Sequence, residues 1–345
     1  MRALALTGTG DPAPLIATDL PAPAPPAPGW VHVRIKAAAL NRLDLFVASG
    51  IPGAAPHFPH IVGSDGAGVV AAVGPGVTTA RVGDEVMFCP GVSCGSCEAC
   101  RAGDDPFCAT YGILGEHLSG TAAEIVAVPA RNLAPRPAGW SWAESAAFSL
   151  AALTVWRMLV SRAKLRRGET VLVWGAGGGV AQMAIQVAAH LGARVLATSS
   201  SPEKCALARK LGAERTFDHA KDDVVAAVKE ATDRKGCAVV VETVGQATWD
   251  RSLRLLARGG RLVCCGATTG PDARFDLRRL FWHQWSLLGS TMGSLAEYQA
   301  VAALAQQGSL RPVVDSVVPL DRAADAYRRL ASGAQSGKLV IEVSP

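Results

Sequence analysis

Four cysteines that lie close together in the chain have the spacing of a metal site. Cys94, Cys97, Cys100 and Cys108 follow the pattern C-x2-C-x2-C-x7-C. Two-residue gaps let successive thiolates turn onto one tetrahedral zinc ion, and the longer gap brings back the fourth. Because four thiolates fill the coordination shell, we predict a structural zinc that stabilises a small lobe of about residues 89–110. Iron–sulfur ligation is the alternative, although clusters usually draw their ligands from farther apart.

A glycine-rich segment near the middle of the chain is the second chemical signal. It follows an apolar, β-prone run (170–174) and precedes an apolar stripe at helical spacing. This strand–turn–helix order can hold a dinucleotide pyrophosphate, because glycines admit the phosphates and the helix N-terminus offers N–H groups. Ala176 and Ala181 replace two glycines of the strict G-x-G-x-x-G spacing, and a tight turn alone would also need glycine. The predicted cofactor contacts are Gly175, Gly177, Gly178, Gly179 and Val180.

The end of the next predicted strand bears on which dinucleotide binds. Enzymes that use NAD place a carboxylate there for the ribose hydroxyls. This chain has Ser199 and Ser200, followed by Lys204. Hydroxyl groups and a nearby ammonium group suit a 2′-phosphate, so we predict NADPH as the cofactor. The alternative is that Lys204 is a solvated residue in the first turn of a helix.

The overall composition excludes several classes of function. The 345 residues are 49% hydrophobic and 18% charged, which is typical of a globular protein with a sizeable core. The net charge of +5 is spread without the basic stripe that nucleic-acid binding requires. No membrane span or secretory signal is evident, and nine cysteines in such a chain favour a reducing, cytoplasmic location.

The elements that must position these residues fall into two regions. Residues 150–294 alternate predicted helices with strands at 170–174, 194–198, 215–217, 238–242, 261–265 and 287–291, which indicates a doubly wound parallel sheet. Residues 1–149 are predicted to be mainly β, with a pair of glycine-punctuated strands in 63–76. Residues 295–345 are too short to fold alone and are expected to join the first region. The predicted class is therefore α/β with two domains.

Together these features resemble the medium-chain dehydrogenase/reductase superfamily over nearly the whole chain. The resemblance is carried by Gly63-x-Asp65-x-x-Gly68, the cysteine lobe, the glycine turn and a late Gly337-Lys338. It implies a GroES-like catalytic domain formed by 1–149 plus 295–345, and a Rossmann dinucleotide-binding domain over 150–294. It also implies a homodimer formed through the last Rossmann strand, with a tetramer as the alternative.

The resemblance places the catalytic zinc ligands of alcohol dehydrogenases at positions that lack them here. Asn41 replaces one cysteine, Ser64 replaces a histidine and Leu150 replaces the other cysteine. These residues cannot form the three-ligand open site that polarises an alcohol or carbonyl oxygen. We therefore predict one structural zinc per chain and no catalytic zinc. A relocated site is conceivable but has no support in the spacing of its candidate ligands, His57, His60, Asp65 and Cys89.

Asn41-x-x-Asp44 and Leu153-Thr154-x-Trp156 are instead similar to the zinc-free quinone oxidoreductase and enone reductase branch. Phe46 and Ala48 depart from residues common in that branch, and the retained cysteine lobe is a further difference. The resemblance implies that Asn41 and Thr154 contact the nicotinamide end and that Lys338 reaches the pyrophosphate. The other cofactor contacts that it implies are His219, Val244, Gly266 and Ala267.

The predicted reaction is hydride transfer from NADPH to a quinone or an α,β-unsaturated carbonyl compound. Without zinc, hydrogen-bond donors must meet the charge that develops on the acceptor oxygen. The catalytic candidates are Asn41, Asp44 and His60, although His60 could equally be an ordinary loop histidine. One alternative is a zinc-type alcohol dehydrogenase or carbonyl reductase with an atypical metal site. A second is a non-catalytic NADPH-binding protein.

Overall fold

The computed structural model describes residues 1–10, 13–51 and 56–344 of the chain. It divides into two compact units, which are residues 1–153 with 293–345 and residues 154–292. The sequence predicts 150–294 for the second unit.

The strands, in chain order, are β1 (Arg2–Leu6), β2 (Leu15–Asp19), β3 (Trp30–Ala39), β4 (His60–Ile61), β5 (Asp65–Val73), β6 (Glu85–Phe88), β7 (Gly91–Val92), β8 (Gly112–Ile113), β9 (Ile125–Pro129), β10 (Leu133–Pro135), β11 (Thr170–Val173), β12 (Arg194–Ser199), β13 (Arg215–Asp218), β14 (Cys237–Glu242), β15 (Leu256–Cys264), β16 (Ser286–Gly289), β17 (Val314–Pro319) and β18 (Lys338–Glu342). The α-helices are α1 (Arg42–Ser49), α2 (Glu98–Arg101), α3 (Trp142–Ala146), α4 (Ser149–Trp156), α5 (Gly179–His190), α6 (Pro202–Lys210), α7 (Val224–Ala231), α8 (Trp249–Leu255), α9 (Leu277–His283), α10 (Leu295–Gln306) and α11 (Ala323–Ala331).

The first unit is built on a mainly antiparallel sheet with strand order β10-β6-β5-β3-β18-β17, and β9 also pairs with β3. Alternate residues of β3 turn inward, so Val31, Val33 and Ile35 are fully buried. β18 pairs antiparallel with β3, with Val340 opposite Ala39. The C-terminal segment therefore completes the sheet of the first unit.

The prediction of two strands within residues 63–76 is wrong, because a single strand, β5, occupies residues 65–73. The glycines inside this strand, Gly66 and Gly68, do not form a turn. A Cβ on Gly68 would lie 2.0 Å from the carbonyl oxygen of Arg34. Glycine is required there because β3 approaches closely, as is common for a glycine within a strand.

The second unit is a parallel sheet with strand order β13-β12-β11-β14-β15-β16 and helices in the connections. Its central strands are continuous apolar runs, and Val171, Leu172 and Val173 are fully buried. The predicted doubly wound sheet is confirmed. β15 begins at Leu256, five residues before the predicted strand and directly after the end of α8.

One helical segment, residues 142–162, has the length and apolar composition of a membrane span. About 78% of its most apolar window is buried inside the protein, as in the core helix of a soluble fold.

Candidate functional site

The glycine turn joins β11 to α5 in a backbone shape that side chains would obstruct. Gly175 has a φ of +67°, a left-handed conformation that favours glycine. A Cβ on Gly177 would lie 2.8 Å from Cδ of Lys204, so the lysine side chain lies against the turn. Gly178 is the N-cap of α5, which begins with Gly179 and Val180. All the residues that the sequence predicts here lie in the turn or the first two positions of α5, where a helix presents N–H groups to an anion.

Thr198 connects the turn to the neighbouring strand ends. Its hydroxyl accepts a hydrogen bond from the N–H of Gly175 (3.2 Å), and its carbonyl accepts one from Ala176 (2.8 Å). Nδ1 of His219 lies 3.2 Å from the same hydroxyl, which places this predicted contact at the sheet edge. Burial, with a contribution from Arg251, lowers the pKa of His219, so its imidazole is neutral at pH 7.

The end of β12 presents hydroxyl groups. Ser199 is buried and accepts a hydrogen bond from the N–H of Ser201 (3.2 Å), whereas Ser200 is exposed. Ser201 caps α6 by accepting from the N–H of Lys204 (3.3 Å), and its own hydroxyl donates to Glu203 (2.5 Å). The nearest carboxylate in the sequence, that of Glu203, therefore lies in the first turn of α6, and β12 itself ends in Ser199.

The loops that follow β14 and β15 pack tightly against each other. A Cβ on Gly245 would lie 2.7 Å from the carbonyl oxygen of Gly270 and 2.9 Å from Cα of Ala267. Val244 lies in the first of these loops, and Gly266 and Ala267 lie in the second. The three predicted contacts are thus together at the carboxyl edge of the sheet, where doubly wound folds bind dinucleotides.

Arg251 and Ser252 also belong to this region, and the sequence does not predict either of them as a site residue. The guanidinium of Arg251 lies 5.1 Å from the centre of the Trp174 ring, directly before the glycine turn. The tryptophan N–H in turn donates to the hydroxyl of Ser252 (2.7 Å). These contacts join residues nearly eighty positions apart, and no local pattern of residue types signals them.

Thr154, the remaining predicted cofactor contact of this unit, is buried. Its hydroxyl lies 3.9 Å from the sulfur of Met292.

In the first unit, a buried ion pair lies beside Asn41, Ser64 and Leu150, the positions where the resemblance places the catalytic zinc ligands of alcohol dehydrogenases. Nζ of Lys338 lies 2.8 Å from Oδ2 of Asp65, and the two side chains are 5% and 0% exposed. Lys338 also donates to Oδ1 of Asn41. The Asn41 amide nitrogen donates to Asp65 (3.0 Å) and to the Ala39 carbonyl (3.4 Å). Lys338 is therefore bound within its own unit, and Asn41 directs its amide hydrogens into the protein.

Asp44 and His60, the other catalytic candidates, bind backbone groups. The two carboxylate oxygens of Asp44 accept from the N–H groups of Asn41 (2.7 Å) and Gly63 (2.8 Å). Burial raises the pKa of Asp44 to about 6 despite these bonds. Nε2 of His60 lies 3.0 Å from the carbonyl oxygen of Gly115, and burial lowers the pKa of His60. In this arrangement both side chains organise loops.

A catalytic zinc ion does not fit this donor set. Oδ1 of Asp65 accepts from the N–H of Leu150 (2.6 Å), while its Oδ2 is held by Lys338 and Asn41. An ammonium group in the cluster would also repel a dication. The buried hydroxyl of Ser64 has no hydrogen-bond partner within the described residues, but one hydroxyl cannot replace three ligands.

The four cysteines of the lobe fit a structural zinc. Their sulfur atoms all lie within 4.8 Å of one another. The sulfur of Cys100 lies 3.8 Å from that of Cys94 and 3.5 Å from that of Cys97. A tetrahedral ion with bonds of about 2.3 Å requires separations near 3.8 Å. The N–H groups of Ser96 and Cys97 lower the pKa of Cys94 to about 5, so this ligand is a thiolate at neutral pH.

Several known proteins that resemble this chain are oxidoreductases by name. Residues 27–138 match the alcohol dehydrogenase GroES-like domain, and residues 179–307 match the zinc-binding dehydrogenase family. A quinone oxidoreductase of Pseudomonas aeruginosa is 34% identical, over 92% of this chain and 93% of its own length. An acryloyl-coenzyme A reductase of Metallosphaera sedula is 32% identical, over 92% of this chain and 93% of its own.

A solved structure of an NAD-dependent alcohol dehydrogenase is 43% identical, covers both chains completely and superposes with a TM-score of 0.95. The fold is thus a GroES-like domain with a Rossmann-type parallel sheet, as the sequence predicts. The protein is an oxidoreductase, and the chain belongs to the medium-chain dehydrogenase/reductase superfamily.

Proposed function

We propose that this protein uses NADPH to reduce an activated acceptor, a quinone or an α,β-unsaturated carbonyl compound, without a catalytic zinc. The observation that carries the proposal is the buried Lys338–Asp65 ion pair beside the zinc-ligand positions, because both carboxylate oxygens of Asp65 already accept hydrogen bonds and cannot coordinate a metal ion. An unactivated ketone needs strong polarisation of its oxygen, whereas a quinone or enone is electrophilic at carbon without it. The quinone oxidoreductase and acryloyl-coenzyme A reductase among the relatives support this class of acceptor.

Bound NADPH would supply a hydride from C4 of its nicotinamide, and a proton from solvent would complete the two-electron reduction. The chain's part is to hold the dinucleotide, through the glycine turn and the strand-end loops of the second unit. Ser199 and Lys204 would contact the 2′-phosphate. A carboxylate at the end of β12 would repel this phosphate, but β12 ends in a serine. Roles for Asn41, Thr154 and Lys338 at the cofactor stay predictions.

The choice of dinucleotide is tested by replacing Lys204. We expect Lys204→Ala to weaken NADPH binding about tenfold, because a charge-assisted contact is lost, and to change NADH binding less than twofold. Lys235→Ala is the matched control, because Lys235 is an exposed lysine of the same unit whose Nζ lies 3.8 Å from the carboxylate of Asp233. Equal losses for both dinucleotides, or a wild-type preference for NADH, would refute the assignment of NADPH.

NAD-dependent alcohol oxidation is the second candidate, because the 43% identical solved structure carries that name. Oxidation of a simple alcohol with NAD⁺, dependent on a second zinc ion per chain, would favour it.

We also propose a cytoplasmic homodimer, which the exposed edge of the parallel sheet supports.

A further inference from the structure

A buried carboxylate lies at the carboxyl end of β14 and has no part in the reaction proposed above. Glu242 is the last residue of β14 and is fully buried. Its Oε1 accepts hydrogen bonds from the N–H groups of Val244 (2.8 Å) and Gly245 (3.0 Å). The hydroxyl of Thr248 lies 2.9 Å from both oxygens, and that of Ser252 lies 2.6 Å from Oε2. All these donors are neutral, and burying a charge is costly unless such donors surround it.

The same carboxylate is linked to the glycine turn. The Ser252 hydroxyl that donates to Glu242 accepts from the indole N–H of Trp174 at 2.7 Å. Trp174 lies between the end of β11 and Gly175, and β11 is the neighbour of β14 in the sheet. Glu242 therefore connects the ends of two adjacent parallel strands, both at the edge where a dinucleotide would bind.

We propose that Glu242 is a positioning residue for the dinucleotide. Its carboxylate fixes the backbone of Val244 and Gly245 and, through Ser252, the side chain of Trp174 at the entrance to the glycine turn. This inference rests on the proposed dinucleotide site of the second unit. A carboxylate is suited to the task because both of its oxygens accept, whereas the nitrogen of a glutamine would be satisfied only if the Thr248 and Ser252 hydroxyls beside Oε2 turned to accept from it.

The test compares NADPH affinity in wild-type protein and Glu242→Gln, measured calorimetrically well below the melting temperatures. We expect the dissociation constant for NADPH to rise about tenfold. The KM for NADPH should rise in parallel, and kcat at saturating NADPH should change less than twofold. Thr232→Val is the control for a purely structural effect. Thr232 is a buried hydroxyl of the same unit, bonded to the Val228 carbonyl at the opposite end of β14. This control should melt earlier with unchanged NADPH affinity.

Two milder variants test the link if Glu242→Gln does not fold. Ser252→Ala and Trp174→Phe each break the bond between the tryptophan and the serine, and Phe keeps a ring beneath Arg251. We expect each to weaken NADPH binding about threefold, and the double variant to be no weaker than the stronger single one. Unchanged NADPH affinity in Glu242→Gln, or additive losses in the double variant, would overturn the inference. Failure of the wild-type protein to bind any dinucleotide would instead refute the proposed function.

Discussion

Lys338 and Asp65 form an ion pair that is almost completely removed from water. Removing one partner of such a pair leaves an uncompensated buried charge. We expect Lys338→Met to reduce the free energy of unfolding by about 3–5 kcal/mol, measured by urea denaturation at pH 7. Lys221→Met, which changes a lysine that is 76% exposed, should reduce it by less than about 1 kcal/mol.

A double variant separates loss of charge balance from loss of packing. Lys338→Met with Asp65→Asn removes both charges, so it should be more stable than Lys338→Met alone. If the double variant is less stable than Lys338→Met, loss of the ion pair does not explain the destabilisation caused by Lys338→Met.

Asp44 should make stability depend on pH. Its pKa is about 6 in the folded protein and 3.8 when unperturbed, so folding favours its protonated form. The resulting stabilisation is fully present below pH 3.8 and disappears as pH rises through about 6. Asp44→Asn lacks this titration. The difference in unfolding free energy between wild type and Asp44→Asn should therefore fall by about 1 kcal/mol between pH 5 and 7. A difference that is constant over this range would contradict the raised pKa.

At the residue scale, the sequence indicates which catalytic zinc ligands are missing, but it does not indicate which contacts take their place. Asn41, Ser64 and Leu150 show in the sequence that soft and nitrogen ligands are lost. The contact between Lys338 and Asn41 spans 297 positions and depends on the pairing of β18 with β3. Such a contact follows from strand register, which residue types alone do not specify.

At the element scale, the cysteine lobe should depend on its metal. The lobe contains only short elements, including the four-residue helix α2, so a bound zinc ion would supply much of its folding free energy. Cys100→Ser should lower the zinc content from one ion per chain to none and speed proteolysis within residues 89–110. Cys264→Ser, outside the cluster, should keep one zinc ion. Retention of zinc by Cys100→Ser would contradict four-sulfur coordination.

The elements themselves differ in how far the sequence predicts them. The β11–α5 unit was predictable because an apolar run, a glycine turn and a helical stripe all lie within one short segment. Local glycine content misled the prediction at β5, because Gly68 meets Arg34 across the sheet and not in a turn. A glycine can indicate either a close approach between two strands or a reversal of the chain. The position of the partner strand distinguishes these two cases.

At the scale of the whole molecule, we propose that the edge strand β16 and exposed apolar side chains of α9 form the surface through which the dimer assembles. Leu277, Phe281 and Trp282 are 65–67% exposed, which is unusual for adjacent large apolar groups. We expect light scattering to show a dimer, and Trp282→Glu to weaken it at least tenfold. Val82→Glu, which changes an exposed apolar residue of the first unit, should leave the dimer intact. A monomeric wild type would refute the proposed dimer.

In the proposed reaction, hydride transfer requires only one zinc ion per chain, the structural zinc of the cysteine lobe. The decisive measurement is NADPH oxidation with a simple quinone on protein whose zinc content has been determined. We predict turnover at one zinc ion per chain and no increase in kcat when zinc or cobalt is added. Turnover that appears only with a second equivalent of metal would contradict the account.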